Sequence, residues 1–325
     1  MPTLYNICHK VAKVETEPVG GFNRQDGDSK MSFETSVCSY ENRGNHGNNK
    51  YRGNCTGHII TDFCETYLPK NGLLVDPSFG SNTTGDVARE LGINYIGTDL
   101  SQGFNLLTDD LTEFVGAQAD AIWWHPPYWD MITYSGNQWG DKPNPWDLSQ
   151  MNLNDFTEAL ILSLMNIHDA TVNGGIYGVL MGNLRRKGKY YNLSSMVERA
   201  APANLVDEII KIQHNCTSDS RKYSSKIVRI AHEKLMIFKK VATSLYFLTK
   251  TFKRLDSSVN LTWKAAVRRV LQSQSKAWSL AEVYEKIKPF AEQKENNHWQ
   301  AKVRQILQDE KYFYRVETGV YKLVK

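Results

Sequence analysis

No apolar run in this 325-residue chain approaches the length needed to cross a bilayer, and Met1 to Lys10 lacks the continuous apolar core of a secretion signal. A cytoplasmic protein with no membrane partner is the expectation. Cysteine is scarce: Cys8, Cys38, Cys55, Cys64 and Cys216 are odd in number and irregularly spaced, which fits reduced thiols better than a disulfide framework. Cys55, His58 and Cys64 with His46 match no common zinc spacing, so no metal is expected. Neither sign of charge dominates. The formal net charge of +4 permits a polyanionic partner without requiring one. No Gly-Lys-Ser/Thr follows the glycine turn at Gly80, which argues against a P-loop nucleotide triphosphatase.

What is present is an ordinary globular composition, 41% hydrophobic and 23% charged, in a chain long enough for one substantial core and a smaller domain. Residues 1–56 are polar and punctuated by glycine, and Arg43 to Arg52 reads either as a basic segment that contacts phosphate or closes over a ligand, or as a solvated connector. From Gly57 the texture changes: Ile59, Ile60, Phe63, Cys64, Tyr67 and Leu68 recur at helical spacing up to Pro69. Leu73-Leu74-Val75 then reads as a strand, Gly80 to Gly85 as a turn and Val87 to Leu91 as a helix, the first half of a mononucleotide-binding unit. A second strand ends in Asp99, about 20 residues past the glycine turn, the spacing at which such folds place an acceptor for ribose hydroxyls.

The chain is organised around Ile122 to Asp130. Ala119 to Trp124 reads as a buried strand, and Pro126-Pro127 must stop it because neither nitrogen can donate a ladder bond. A stiff loop follows, with Tyr128 and Trp129 beside it as faces on which a flat ring could stack.

His125-Pro126-Pro127-Tyr128 resembles the Asp/Asn/Ser-Pro-Pro-Tyr tetrapeptide of the amino-group DNA methyltransferases, which methylate adenine N6 or cytosine N4. Asp76-Pro77-Ser78-Phe79-Gly80-Ser81-Asn82-Thr83-Thr84 resembles the same family's Asp-Pro-Phe-x-Gly-Ser-Gly-Thr-Thr loop, and the two occur in the family's order with no long insertion between them. The resemblance implies a Rossmann-like class I fold, S-adenosyl-L-methionine as cofactor and double-stranded DNA as partner, with a restriction endonuclease as a further candidate partner. It assigns His125, Pro126, Pro127 and Tyr128 to catalysis, the base being flipped out and stacked on Tyr128. It assigns Gly57, His58, Asp76, Ser78, Phe79, Gly80, Ser81, Thr83, Thr84, Asp99, Leu100 and Asp109 to the cofactor. Two positions depart from the pattern. Asn82 replaces a glycine, and asparagine visits left-handed backbone more readily than other residues. His125 replaces the usual acceptor of the target amine; a neutral imidazole can accept and an imidazolium cannot, so either His125 acts neutral or the Pro126 carbonyl takes over.

Past this loop, Met131 to Asp147 is rich in Gly, Pro and Trp and reads as a lid, a wedge or a packed surface loop, with Lys142 available to phosphate. A helix from Leu153 to Val172, ended by Gly174-Gly175, should cover the sheet, with His168 structural, and Ile176 to Met181 should be a strand. At that strand's end Arg185, Arg186, Lys187 and Lys189 are candidate DNA contacts. Val206 to Gln213 and Glu233 to Phe238 should be strands, the resemblance implying that the last is reversed, and the connector between them adds Arg221 and Lys222. After a linker at 243–259, Ser279-Leu280-Ala281-Glu282 is a capping box, Asn297 is placed to cap a further helix, and Tyr312 to Val316 pairs with Val320 to Val324 as a hairpin. From Asn260 onward basic residues outnumber acidic ones about two to one, and the pattern looks like a winged helix with Lys302 and Arg304 towards DNA.

The expected architecture is therefore a methyltransferase domain over 57–242 and a winged helix over 260–325. Adenine N6 is preferred as target, with cytosine N4 or RNA as alternatives. A DNA-binding protein that keeps the fold but has lost turnover through His125 is the reading of a different class.

Overall fold

The computed structural model describes residues 14–16, 33–216, 219, 222, 226–241, 263–272, 276–293, 297–310 and 312–324. Arg221 and the linker at 243–259 lie outside them. In chain order the larger unit contains β1 (Val14–Thr16), β2 (Val37–Ser39), α1 (Gly57–Tyr67), β3 (Leu73–Asp76), α2 (Thr83–Leu91), β4 (Asn94–Gly97), α3 (Leu111–Val115), β5 (Ala119–Trp124), α4 (Leu153–Ala170), β6 (Thr171–Gly182), the hairpin β7 (Leu184–Arg186) and β8 (Lys189–Tyr191), α5 (Leu193–Ala200), β9 (Asn204–Ile212) and β10 (His232–Lys239). Eight of these strands form one sheet in the order β1-β4-β3-β5-β6-β10-β9-β2. The β4-β3-β5-β6 block is parallel, and β10 runs antiparallel between β6 and β9. That reversed strand next to the centre is the one expected from the sequence.

Why α1 forms is plain: Thr56 caps it through the His58 amide, and its Ile59, Ile60, Phe63 and Cys64 face is fully buried. Each such apolar side chain contributes roughly 1.5–3 kcal/mol by leaving water. One cluster on this side of the sheet gathers those residues with Trp123 and Leu235; on the other side Trp124, Phe156, Leu160, Leu164 and Tyr177 pack together. Alternate residues of β5 thus serve opposite faces, as pleating requires.

Three boundaries differ from expectation. Among the described residues before Gly57, β1 pairs with β4 and β2 with β9, so these short stretches, read as loop, add a strand at each edge of the sheet. The glycine pair does not end α4. The helix stops at Ala170, and Gly174 (φ 83°) sits within β6, where the pairing with β5 shifts register between Ala119 and Ala121. A Cβ on Gly175 would lie 2.9 Å from the Asp120 carbonyl, so the small residues serve that close approach. Asn297 stands one residue outside the cap position of the last helix, which His298 occupies without a side-chain cap.

The C-terminal unit contains α6 (Trp263–Gln272), β11 (Trp278–Ser279), α7 (Leu280–Gln293), α8 (Trp299–Ile306), β12 (Phe313–Glu317) and β13 (Val320–Leu323), with a sheet in the order β11-β13-β12. The capping box is present: the Ser279 amide and hydroxyl donate to Glu282, and the Glu282 amide donates back to Ser279 Oγ. Helix α7 runs on past Pro289. The unit has its own core around Val267, Trp278, Val283, Val303 and Phe313. It is fastened to the larger unit by buried ion pairs, Arg268 with Asp110 at 3.0 Å and Arg269 with Asp169.

Candidate active site

The carboxyl ends of β3, β4 and β5 open into a cavity of about 860 Å³, counting the space open at its mouth. A parallel sheet places ligands here because its strands end together and the chain leaves them in loops. Asp76, Ser78, Phe79, Gly80, Ser81, Thr83 and Thr84 line it from the β3–α2 turn, Asp99 and Leu100 from the end of β4, and His125 and Pro127 from the end of β5. The turn is built as its composition requires. Gly80 has φ 53° and lies under the Tyr51 ring, where a Cβ would stand 3.1 Å away, and Asn82 adopts the left-handed conformation (φ 64°) at the N-cap of α2.

The polar lining is partly spoken for and partly open. Asp76 accepts from Ser78 N–H at 3.0 Å and Thr84 Oγ1 at 2.6 Å; its burial raises the carboxyl to about 7, against those two bonds and with Asp99 adding to the rise. Asp99, buried at the end of β4, accepts from Gly80 N–H and from the amide and hydroxyl of Ser101, and burial lifts its pKa despite them. Ser78 Oγ, Ser81 Oγ and Ser163 Oγ are buried without a hydrogen-bond partner on the wall of this cavity. Buried hydroxyls of that kind suit a polar ligand.

At the tetrapeptide, burial is again the dominant influence. It drives the His125 imidazole down to about 4, with the Lys211 ammonium adding to the fall and Glu233 opposing it, so the ring is neutral at physiological pH. His125 Nε2 lies 3.0 Å from Tyr128 Oη, and Tyr128 donates to Glu233 Oε1 at 2.9 Å. Glu233 also takes Lys211 Nζ at 2.6 Å; desolvation would raise its carboxyl, but the ammonium outweighs it and holds the group below its ordinary range.

The cavity does not include every residue expected there. Tyr128 and Trp129 are turned away from the lining: the Tyr128 ring packs over Gly182, and Trp129 donates to the Met151 carbonyl and lies against Tyr191. Pro126 is buried behind the wall. Gly57 and His58 stand at the start of α1 but outside the lining; Gly57 makes room for His46, and His58 stacks on Tyr40. Asp109 also lies outside, because its carboxylate is bent back onto the Asn105 amide of its own loop, while Asn105 itself reaches the wall.

Other residues form the roof. Tyr51, Gly53, Asn54 and Cys55 line the cavity from one loop, and Tyr134, Trp139, Trp146 and Asp147 from another. The two loops are joined: Trp139 Nε1 donates to Tyr51 Oη at 2.9 Å, and the Arg52 backbone exchanges hydrogen bonds with the Gln138 amide. The first is pinned to α2 by His46 on Glu90 at 2.7 Å, by Gly47 N–H on Asp86 and by the Thr83 hydroxyl, which donates to Asn54 Oδ1; the second is stiffened by buried Asp147, which accepts from Ser135 and Ser149. Of the segment Arg43 to Arg52, Tyr51 lines the cavity, and the wall continues through Gly53, Asn54 and Cys55. The sequence signal was its density of Gly and Asn; its partner loop was not readable.

The expected DNA contacts are scattered over the surface. Lys187 and Lys189 are exposed on the β7–β8 hairpin, where Lys189 lies over Tyr191 and Arg185 over Tyr190, but Arg186 is held by Asp130 at 2.9 Å. Lys142, Lys222, Lys302 and Arg304 are exposed. Buried His168 packs edge-on against Tyr177, as a structural residue. Among the described residues no helix is long and apolar enough to cross a membrane, and no group of three or more His, Cys, Asp or Glu could hold a metal.

Residues 9–108 match the family model described as DNA methylase. A curated relative, the type II methyltransferase M.SfiI of Streptomyces fimbriatus, is 40% identical over 58 residues, which is 17% of this chain and 13% of that protein. Among solved structures, TrmN from Thermus thermophilus is 10% identical with a TM-score of 0.31, covering 57% of this chain and 48% of its own. A methyltransferase from Pyrococcus furiosus is 13% identical with the same TM-score, covering 60% and 87%. A putative DNA modification methylase from Thermus thermophilus, TTHA0409, solved with S-adenosyl-L-methionine, is 14% identical with a TM-score of 0.26, covering 52% and 54%. The chain thus spans a small part of the curated relative and about half of the first of these structures. The matched stretch holds the Asp76–Thr84 loop and Asp99 and ends before the tetrapeptide at His125, so the match bears on the first of the two motifs. S-adenosyl-L-methionine is the cofactor that goes with that family, and the open hydroxyls and paired acids of the cavity fit it.

Proposed function

We propose that this chain is a site-specific DNA methyltransferase acting on the exocyclic amine of a base flipped into the cavity beside His125, adenine N6 in preference to cytosine N4. The observation that carries the reading is that one cavity is lined both by the Asp76–Thr84 loop and by His125 and Pro127. A donor held by the first and an amine held by the second share the same space. Asp76 and the serine hydroxyls hold the methionine end of the cofactor, and Asp99 its ribose. When bound, S-adenosyl-L-methionine would supply an electrophilic sulfonium methyl to the amine, and the proton the amine loses would leave to solvent through its hydrogen bond to His125.

His125, neutral and half-buried at the cavity wall, accepts an N–H of the amine, and this draws the nitrogen lone pair towards the methyl. The roof of Tyr51, Tyr134 and Trp139 excludes water. Trp146, 43% exposed at the cavity wall, offers the flipped base a stacking face in place of Tyr128. Lys142, Lys187 and Lys189 meet backbone phosphates, and the C-terminal unit, read as a winged helix, adds Lys302 and Arg304.

The test is transfer of labelled methyl from S-adenosyl-L-methionine to double-stranded DNA by the full chain, followed by mass spectrometry of the digested nucleosides. N6-methyladenine supports the reading, and N4-methylcytosine moves the target while keeping the chemistry. Cofactor binding without transfer to DNA or RNA would make the protein a DNA-binding relic. Absence of cofactor binding would overturn the assignment.

A further inference from the structure

Behind His125 the sheet carries a row of residues that the two motifs do not include. Gly182 on β6, Glu233 on β10 and Lys211 on β9 are directly paired across three neighbouring strands. Gly182 leaves room for the Tyr128 ring, since a Cβ there would stand 2.5 Å from Tyr128 Cε2. Tyr128 then reaches Glu233, and Glu233 reaches Lys211. The pair is 9% and 12% exposed, so both charges are largely withdrawn from water and each needs the other.

The direction of the hydrogen bonds follows from what each group can do. An ionised carboxylate only accepts, so Tyr128 spends its single proton on Glu233 Oε1. Its oxygen is left with lone pairs alone, and His125 Nε2, 3.0 Å away, must carry the ring's N–H. In a neutral imidazole the other nitrogen is then bare.

We infer that Lys211 and Glu233, acting through Tyr128, are positioning residues that fix His125 in the Nε2–H tautomer and so present Nδ1 as the acceptor for the target amine. This rests on the proposed function. It explains how histidine can stand where the family's tetrapeptide has a carboxylate, amide or hydroxyl oxygen: the buried carboxylate lies one tyrosine further back. Without the chain, the Nδ1–H tautomer would turn a donor towards an amine that needs an acceptor.

The test uses full-length protein labelled with 15N-histidine. Two-bond proton–nitrogen spectra, with the His125 signals identified by their loss in His125→Asn, report which nitrogen carries the proton. The expected result at pH 7 is a protonated Nε2 and a bare Nδ1. Glu233→Gln, whose amide can donate to Tyr128, and Tyr128→Phe should both shift His125 towards Nδ1–H. They should lower kcat on the order of 10²-fold with KM for S-adenosyl-L-methionine nearly unchanged. Lys211→Met combined with Glu233→Gln removes both charges and guards against an unfolded single variant. A protonated Nδ1 in the wild type, or a tautomer indifferent to all three changes, would overturn the inference. If the tautomer responds but no nucleic acid is methylated, the positioning chain stands and the proposed function falls.

Discussion

With Asp76 at the cofactor as proposed, cofactor binding should be a proton-linked event. Burial holds its carboxyl near 7, so at pH 6 most of the empty protein carries a proton on it. A cation brought within about 4 Å of the carboxylate gains roughly 4 kcal/mol at an effective dielectric near 20, enough to return the group to the ordinary carboxylate range. S-adenosyl-L-methionine carries such cations, so its binding should expel nearly one proton at pH 6. Its affinity should fall by about 100-fold between pH 8 and pH 5, about one decade for each pH step below 7. Titration calorimetry in two buffers of different ionisation enthalpy measures both quantities. Asp76→Asn cannot ionise; it should bind weakly at every pH and release no proton. An affinity that stays level from pH 5 to 8, or an asparagine variant with the wild-type profile, would refute the argument.

Three further outcomes follow from the same structure. His125 is held at about 4 against an ordinary 6.5, so the unfolded chain takes the proton first; its stabilising effect is complete above 6.5, and up to about 3 kcal/mol is lost as pH falls from 6.5 to 4. Urea melts of wild type against His125→Gln should show that difference, and parallel pH slopes would count against it. Gly182→Ala forces the Tyr128 ring aside, costing about 1–3 kcal/mol. Equilibrium dialysis should find cofactor binding intact and methyl transfer lost; wild-type turnover would remove Tyr128 from the argument. Asp169→Asn leaves Arg269, 4% exposed, without its carboxylate and should destabilise the protein by about 3–5 kcal/mol, measured by chemical denaturation. A loss below about 1 kcal/mol would mean the ion pair does not hold the C-terminal unit in place.

Much of the site was legible because it obeys local rules. Asp76 to Thr84 needs positive-φ residues at particular steps and has Gly80 and Asn82 there. Pro126-Pro127 ends β5 whatever surrounds it, and the helical spacing of Ile59, Ile60 and Phe63 can bury only one face. The errors fall where a residue's partner is distant in sequence. Gly174-Gly175 looks like a helix stop until β5 passes beside it. Tyr128 looks like a stacking platform, but its ring packs over Gly182 and its hydroxyl donates to Glu233, 105 residues later.

The residues alone determined the turn between β3 and α2, the stiff loop after β5 and the order in which they occur, because backbone preference and periodicity act over a few positions. Only the tertiary structure decided that Tyr51 and the residues at Gly53 to Cys55 meet Tyr134 and Trp139 at the cavity, and that Gly182, Glu233 and Lys211 line up behind His125. Those facts depend on strand order and register, which set residues far apart in the chain within hydrogen-bonding reach. The protonation state of a buried imidazole is decided by such neighbours and by its distance from water.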